Sequence, residues 1–264
     1  MFEINPDLKV QVKTTTDITW HSVSDGKVKF NLDEVERTYF IIDDFYKNPD
    51  ELRDYTLSQL KDFEDESKRD KTNVWTDKHG VRPDDGRMAG AIGRRVWDET
   101  KETMKEMEVQ MASVFEQICN TEAWHIRFDK EHHYEKWSNM RFVVNVTNHE
   151  EVVRSKRPWY TVCHVDGIYN KWASLVYLNT PEEYGEEEIP GTGLYSVVPP
   201  EPDGTINHPK LQAIVPVRYN RCMVYDANQV HGAILEPDLY HNYDRLTQIM
   251  FFLNSLNKLL MLLL

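Results

Sequence analysis

The chain has 264 residues, 40% hydrophobic and 28% charged, a balance that excludes a disordered or fibrous chain. A formal net charge of −13 with no long basic stripe makes DNA or RNA an unexpected main partner, since a polyanion would dock against the field of the whole molecule. Three cysteines, at 119, 163 and 222, with no CxxC, support neither a disulfide framework nor a zinc ribbon; together with an N-terminus lacking a basic-then-apolar leader they predict a reducing, cytoplasmic setting.

In chain order, the first predicted element is a strand at residues 39–42, which Asp43-Asp44-Phe45 carries out of the sheet. Asn48-Pro49-Asp50-Glu51 then reads as a helix start: Asn48 can cap, Pro49 suits the first helical position, and Glu51 can close a capping box. Behind it Leu52, Tyr55, Leu60 and Phe63 fall near one helical face. A charged loop punctuated by Gly80, Pro83, Gly86 and Gly90 leads to a second helix predicted over residues 95–119. Its Met104, Met107, Met111, Val114 and Ile118 form an apolar stripe at helical spacing, suited to packing on a sheet rather than to a cofactor box.

Beyond residue 122 the texture changes to short β-rich runs at 141–146, 159–165, 173–179, 194–198, 211–216, 222–226 and 246–253, separated by Pro, Gly, Asn and Asp. Strands of that length and spacing predict a sandwich or barrel. The leucine-rich run at 259–264 is far shorter than the roughly twenty apolar residues a membrane span needs. It is read as a short helix packed on the domain or on a partner subunit, which leaves a homodimer open. With no repeat, low-complexity tract or linker, residues 1–264 read as a single domain: 38–122 a strand with supporting helices, 123–255 the β core.

The chemistry concentrates at Cys163-His164-Val165-Asp166. On an extended chain His164 and Asp166 project to one side, Cys163 and Val165 to the other. With ten histidines in the chain, roughly one His-x-Asp arises by chance, so the triplet gains weight only from its context. His231, in Gln229-Val230-His231-Gly232, supplies a third donor, and two imidazoles with one carboxylate make the facial set that suits non-haem Fe(II) while leaving positions open. Further on, Arg245 and Thr247 share a strand face by the same alternation, and an arginine buried in a barrel needs an anion, which a dicarboxylate would meet bidentately.

These residues, together with Ser174-Leu175-Val176-Tyr177-Leu178-Asn179, Gly191-Thr192-Gly193-Leu194-Tyr195 and the run 220–231, resemble the Fe(II)/2-oxoglutarate-dependent dioxygenases, in particular their prolyl-hydroxylase-like branch. Ile41-Ile42-Asp43-Asp44-Phe45 with the Asn-Pro helix start is similar to the entry segment of that branch, and the resemblance covers residues 38–255. It implies an α+β, mainly β fold: a double-stranded β-helix of the jelly-roll, cupin-like kind with supporting N-terminal helices. It implies that His164, Asp166 and His231 ligate Fe(II). It also implies that 2-oxoglutarate is the cosubstrate, its distal carboxylate held by Arg245 with Thr247 and Tyr177. The expected activity is hydroxylation of an amino-acid, peptide or small-molecule substrate by dioxygen, with release of succinate and CO2. Asp166 fills the place that related halogenases leave for halide. The chain departs from the family pattern at Pro190-Gly191, where the family has Gly-Gly, and in a longer interval from His231 to Arg245, so Arg221 and Arg218 stand as competing anchors.

Two other classes use the same residues differently: a catalytically idle cupin-like barrel that binds a small acidic ligand or sugar and keeps the metal structurally, and a metal-dependent hydrolase in which the triad activates water. The Arg-x-Thr pair separates them, because a hydrolase has no use for a dicarboxylate anchor. Smaller features have plain readings: His132-His133 as a charged hairpin, Tyr160 and Trp172 as pocket walls or packing residues, and Cys163 as core. Loops at 71–90, 132–137 and 170–172 are expected to set specificity.

Overall fold

A computed structural model describes residues 3–22, 28–64, 94–96, 102–119, 143–147, 163–166, 170–185, 187–198, 207–234 and 242–253. Strand alternation organises them. Along β2 (Val28–Asp43), Phe40 and Ile42 face one way, Tyr39 and Ile41 the other, and all four are buried. The same two-faced burial holds in β5 (Asn170–Tyr177), β8 (Cys222–Asp226) and β10 (Arg245–Leu253). With β1 (Lys9–Ser22), β3 (Arg94–Val96) and β4 (Val143–Thr147) they form a seven-stranded antiparallel sheet in the order β1-β2-β8-β5-β10-β4-β3. A second antiparallel sheet of three strands has the order β7-β6-β9, from β6 (Pro190–Ser196), β7 (Lys210–Pro216) and β9 (Val230–Ala233).

Each face of the large sheet packs a separate core. One face, with Phe40, Ile42, Trp172, Val176, Val224, Leu246 and Met250, takes helix α1 (Pro49–Glu64) through Leu52 and helix α2 (Glu102–Cys119) through Met111 and Phe115. Phe45 and Phe115 stack there with ring centroids 5.9 Å apart. The other face, with Tyr39, Ile41, Leu175, Tyr177, Met223 and Tyr225, packs against Leu194 and Val215 of the small sheet. Full burial of each such side chain contributes about 1.5–3 kcal/mol, so two continuous cores hold the central sheet from both sides.

The described residues are therefore mostly antiparallel sheet with few helices, as the strand pattern predicted. Helix α1 starts at Pro49, as expected, and Met111 of the methionine stripe lies in the core. Other boundaries differ. The second helix begins at Glu102 rather than at Arg95, because Arg94–Val96 pair with β4 and their backbone groups belong to the sheet. The strand expected at 159–165 is, within its described part, a single bridge at His164. The strand expected at 173–179 ends at Tyr177, and residues 170–172 lie within β5 rather than in a specificity loop. Trp172 is buried against Phe40, ring centroids 5.6 Å apart, and so has a packing role. A short helix α3 (Pro181–Tyr184), capped by Thr180 and Glu183, follows β5. The loops at 71–90 and 132–137, the His132-His133 pair, Tyr160 and the leucine-rich tail lie outside the described residues.

Candidate metal centre

His164 and His231 face one another across an isolated antiparallel bridge. The His164 N–H donates to the His231 carbonyl at 2.8 Å, and the His231 N–H returns the bond at 2.9 Å. Residues directly opposite in an antiparallel pair put their side chains on the same face, and the two imidazole centroids lie 4.5 Å apart. Asp166, two residues on, is pinned by its own N–H to the Ala227 carbonyl at 2.9 Å, so one turn after β8 positions both the carboxylate and His231. The result joins distant parts of the chain: His164 Nε2 is 3.5 Å from Asp166 Oδ1, and His231 Nε2 is 3.2 Å from Asp166 Oδ2.

One ligand atom from each of these residues falls within 4.8 Å of the others, close enough for all three to hold one metal ion. Metal–ligand bonds of about 2.1 Å put adjacent ligands about 3 Å apart, so the observed separations fit this donor set with small adjustments. The hydrogen bonding also suits it: His231 Nδ1–H donates to the Gln229 carbonyl at 2.9 Å, which turns Nε2 toward Asp166. Burial by itself would raise the Asp166 carboxyl, but the charge and hydrogen bonds of His231 and His164 outweigh it and hold that carboxyl well below the usual carboxylate range. Exposure is asymmetric: the His164 side chain is 43% exposed, those of Asp166 and His231 only 8% and 5%.

Tyr225 is a site residue that sequence reasoning passed over. Its hydroxyl donates to Asp166 Oδ2 at 3.1 Å, and its ring lies 4.5 Å from that of His231. Burial and the neighbouring carboxylate both raise its pKa far above the usual phenol value, so it remains a donor. Its place in the 222–226 strand, with the parity of Met223, was the available signal, but nothing local marks it as a partner for Asp166. Cys163, on the opposite side of its segment, keeps its proton: burial pushes the thiol up to about 11 against a hydrogen bond from Tyr195.

Arg245 and Thr247 lie on the inter-sheet face of β10, the face of Phe251, while Leu246 and Met250 pack under the helices. Arg245 is 4% exposed and its guanidinium carbon lies 5.9 Å from the centroid of the Tyr177 ring. Among the described residues it makes no ion pair, and its Nε and the Thr247 hydroxyl have no hydrogen-bond partner. Burial of such groups without partners costs kilocalories, so their side chains suit an anionic ligand. The rival cations are committed elsewhere. Arg221 grips Asp43 through Nε at 2.6 Å and Nη2 at 3.2 Å, and Arg218 reaches the same carboxylate at 3.1 Å. Tyr177 offers Arg245 its ring; its hydroxyl bridges the two sheets, 2.8 Å from Thr192 Oγ1 and 3.2 Å from the Val215 carbonyl. Gly191 permits that bridge, because a Cβ there would lie 2.5 Å from the Tyr177 hydroxyl. Tyr225 and Tyr177 share the inter-sheet face, the first in contact with the cluster and the second with Arg245.

A surface cleft near the start of α1, lined by Asp44, Tyr46, Lys47, Tyr219 and Asn220, shares no residue with this region. There Asn220, at φ 62°, clamps the Tyr46 backbone in both directions at 2.8 Å, a packing role. No protein-family model matches the chain, and no curated protein matches it.

Proposed function

We propose that the chain is an Fe(II)- and 2-oxoglutarate-dependent oxygenase on a double-stranded β-helix core, hydroxylating an amino-acid, peptide or small-molecule substrate. One observation carries this reading. A two-histidine, one-carboxylate cluster is held by Tyr225, and a buried guanidinium without a counter-ion among the described residues lies on the same inter-sheet face of the large sheet as that tyrosine. An idle barrel would keep the metal structurally yet bind 2-oxoglutarate poorly, and a hydrolase would use the cluster but not the arginine.

In this reading His164, Asp166 and His231 would hold the metal. Fe(II) in that place supplies the redox activation of dioxygen, coupled to decarboxylation of the oxo acid: substrate, 2-oxoglutarate and O2 give hydroxylated substrate, succinate and CO2. The protein's own part is positioning. Arg245 receives the distal carboxylate in a bidentate fork, Thr247 adds a hydroxyl donor, and the Tyr177 ring backs the guanidinium. Tyr225 fixes the free rotation of the Asp166 carboxylate through one oxygen. Leu175, Met223 and Leu194 pack the inter-sheet core on the face that carries Arg245.

Anaerobic titration of the protein with Fe(II) and 2-oxoglutarate tests the reading. The expected result is a weak visible metal-to-ligand charge-transfer band that Asp166→Ala abolishes. Iron binding without the band would favour the idle barrel or the hydrolase, and no metal binding would remove the cluster from consideration.

A further inference from the structure

We propose that Asn179 is the positioning residue of the Arg245 anchor, and that Glu183 couples it to helix α1; the proposal rests on the reading of Arg245 as the dicarboxylate anchor. The pairing of Thr247 with Tyr177 puts Asn179 opposite Arg245 just beyond the end of β5. The Leu178 N–H still bonds the Leu246 carbonyl at 3.1 Å, and after that the side chain of Asn179 takes over from the backbone. Its Oδ1 accepts the Leu246 N–H at 2.8 Å and its Nδ2 donates to the Asp244 carbonyl at 2.8 Å. No flip of the amide is consistent with these partners, since Leu246 offers only a donor there and Asp244 only an acceptor.

The two bonded groups belong to the two peptide planes on either side of Arg245. Pinning both planes fixes φ and ψ of that residue, and with them the direction in which its side chain leaves the strand. Asn179 is 1% exposed, so no water competes for the amide. Its second Nδ2 hydrogen points to Glu183 Oε2 at 3.2 Å; the other oxygen of Glu183 accepts from Arg53 of α1 at 2.7 Å. The Thr180 N–H also donates to Glu183 Oε2 at 2.9 Å, so the carboxylate is itself held in place.

The test uses the full chain loaded with Mn(II) and calorimetric titration with two acids: 2-oxoglutarate and 2-oxobutanoate, which shares the oxo-acid end but lacks the distal carboxylate. Wild-type protein should prefer 2-oxoglutarate. Asn179→Ala should weaken 2-oxoglutarate about tenfold or more while leaving Mn(II) and 2-oxobutanoate affinities unchanged. Glu183→Gln, which leaves the backbone clamp in place, should shift the preference in the same direction by about threefold. Equal weakening of both acids, or an unchanged preference, in Asn179→Ala overturns the proposal. Should Asn179→Ala fail to fold, an unchanged preference in Glu183→Gln overturns it. A wild-type protein with no preference defeats the anchor itself, a failure visible before any variant is made.

Discussion

At the scale of single residues, Tyr225 and Arg245 offer opposite kinds of test. Tyr225 touches two of the three cluster residues, one through its hydroxyl and one through its ring. Tyr225→Phe keeps the ring against His231 and removes only the hydrogen bond to Asp166. Outer hydrogen bonds of this kind typically change metal affinity 10- to 100-fold, so a loss of about tenfold is expected by competition against a coloured chelator. An unchanged affinity would mean that Asp166 needs no orienting partner. Arg245 works the other way. A buried cation without a counter-ion among the described residues is a cost to the fold, so Arg245→Met should leave the unliganded melting temperature level or raise it while abolishing 2-oxoglutarate binding. Destabilisation by about 2 kcal/mol or more would instead reveal a structural partner for the guanidinium.

At the scale of elements, the sequence was most readable where apolar residues alternate and least where polar ones do. The strands β8 and β10 matched their predicted ranges within a residue because both of their faces are apolar or carry the Arg-x-Thr signal. Strand β1 went unread: its inward positions are Thr15 and Asp17, and Val12 is 64% exposed, so its hydrophobic pattern runs the wrong way round. His164, Asp166 and His231 were legible from residue type and parity. The commitment of Arg218 and Arg221 to an ion pair was not, because it rests on Asp43, 178 residues from Arg221. The Pro190-Gly191 departure also becomes intelligible at this scale. The glycine that matters is Gly191, where a Cβ would lie 2.6 Å from the Val215 carbonyl as well as against the Tyr177 hydroxyl. Gly191→Ala should therefore push Tyr177 away from Thr192 and cost about 1–3 kcal/mol, read from the urea midpoint. An unshifted midpoint would show that the two sheets can separate locally without penalty.

At the scale of the whole molecule, the first strand and the turn after β8 are parts of one structure despite standing far apart in the chain. Arg37 of β2 lies 2.9 Å from Asp226 and 3.4 Å from Asp17 of β1, and Thr15 bonds the Gln229 side chain at 2.9 Å. Gln229 in turn reaches the Tyr195 carbonyl of the small sheet, and its own carbonyl fixes the His231 ring. The hairpin thus joins the large sheet, the small sheet and the turn that carries Ala227 and His231. Arg37→Ala strands two largely buried carboxylates and should destabilise the fold by about 3 kcal/mol. Metal affinity should fall with it, although Arg37 bonds no cluster residue; full retention of affinity would show the turn to be rigid on its own.

The unequal exposure of the two histidines has a kinetic corollary. Asp166 and His231 lie behind protein, whereas His164 stands open to solvent, with the exposed Val165 beside it. An ion held in the proposed centre would first let go of the ligand that water can replace, so His164 is expected to govern its off-rate. An acylating reagent such as diethyl pyrocarbonate would find His164 first in the metal-free chain, and the ion itself would be its shield.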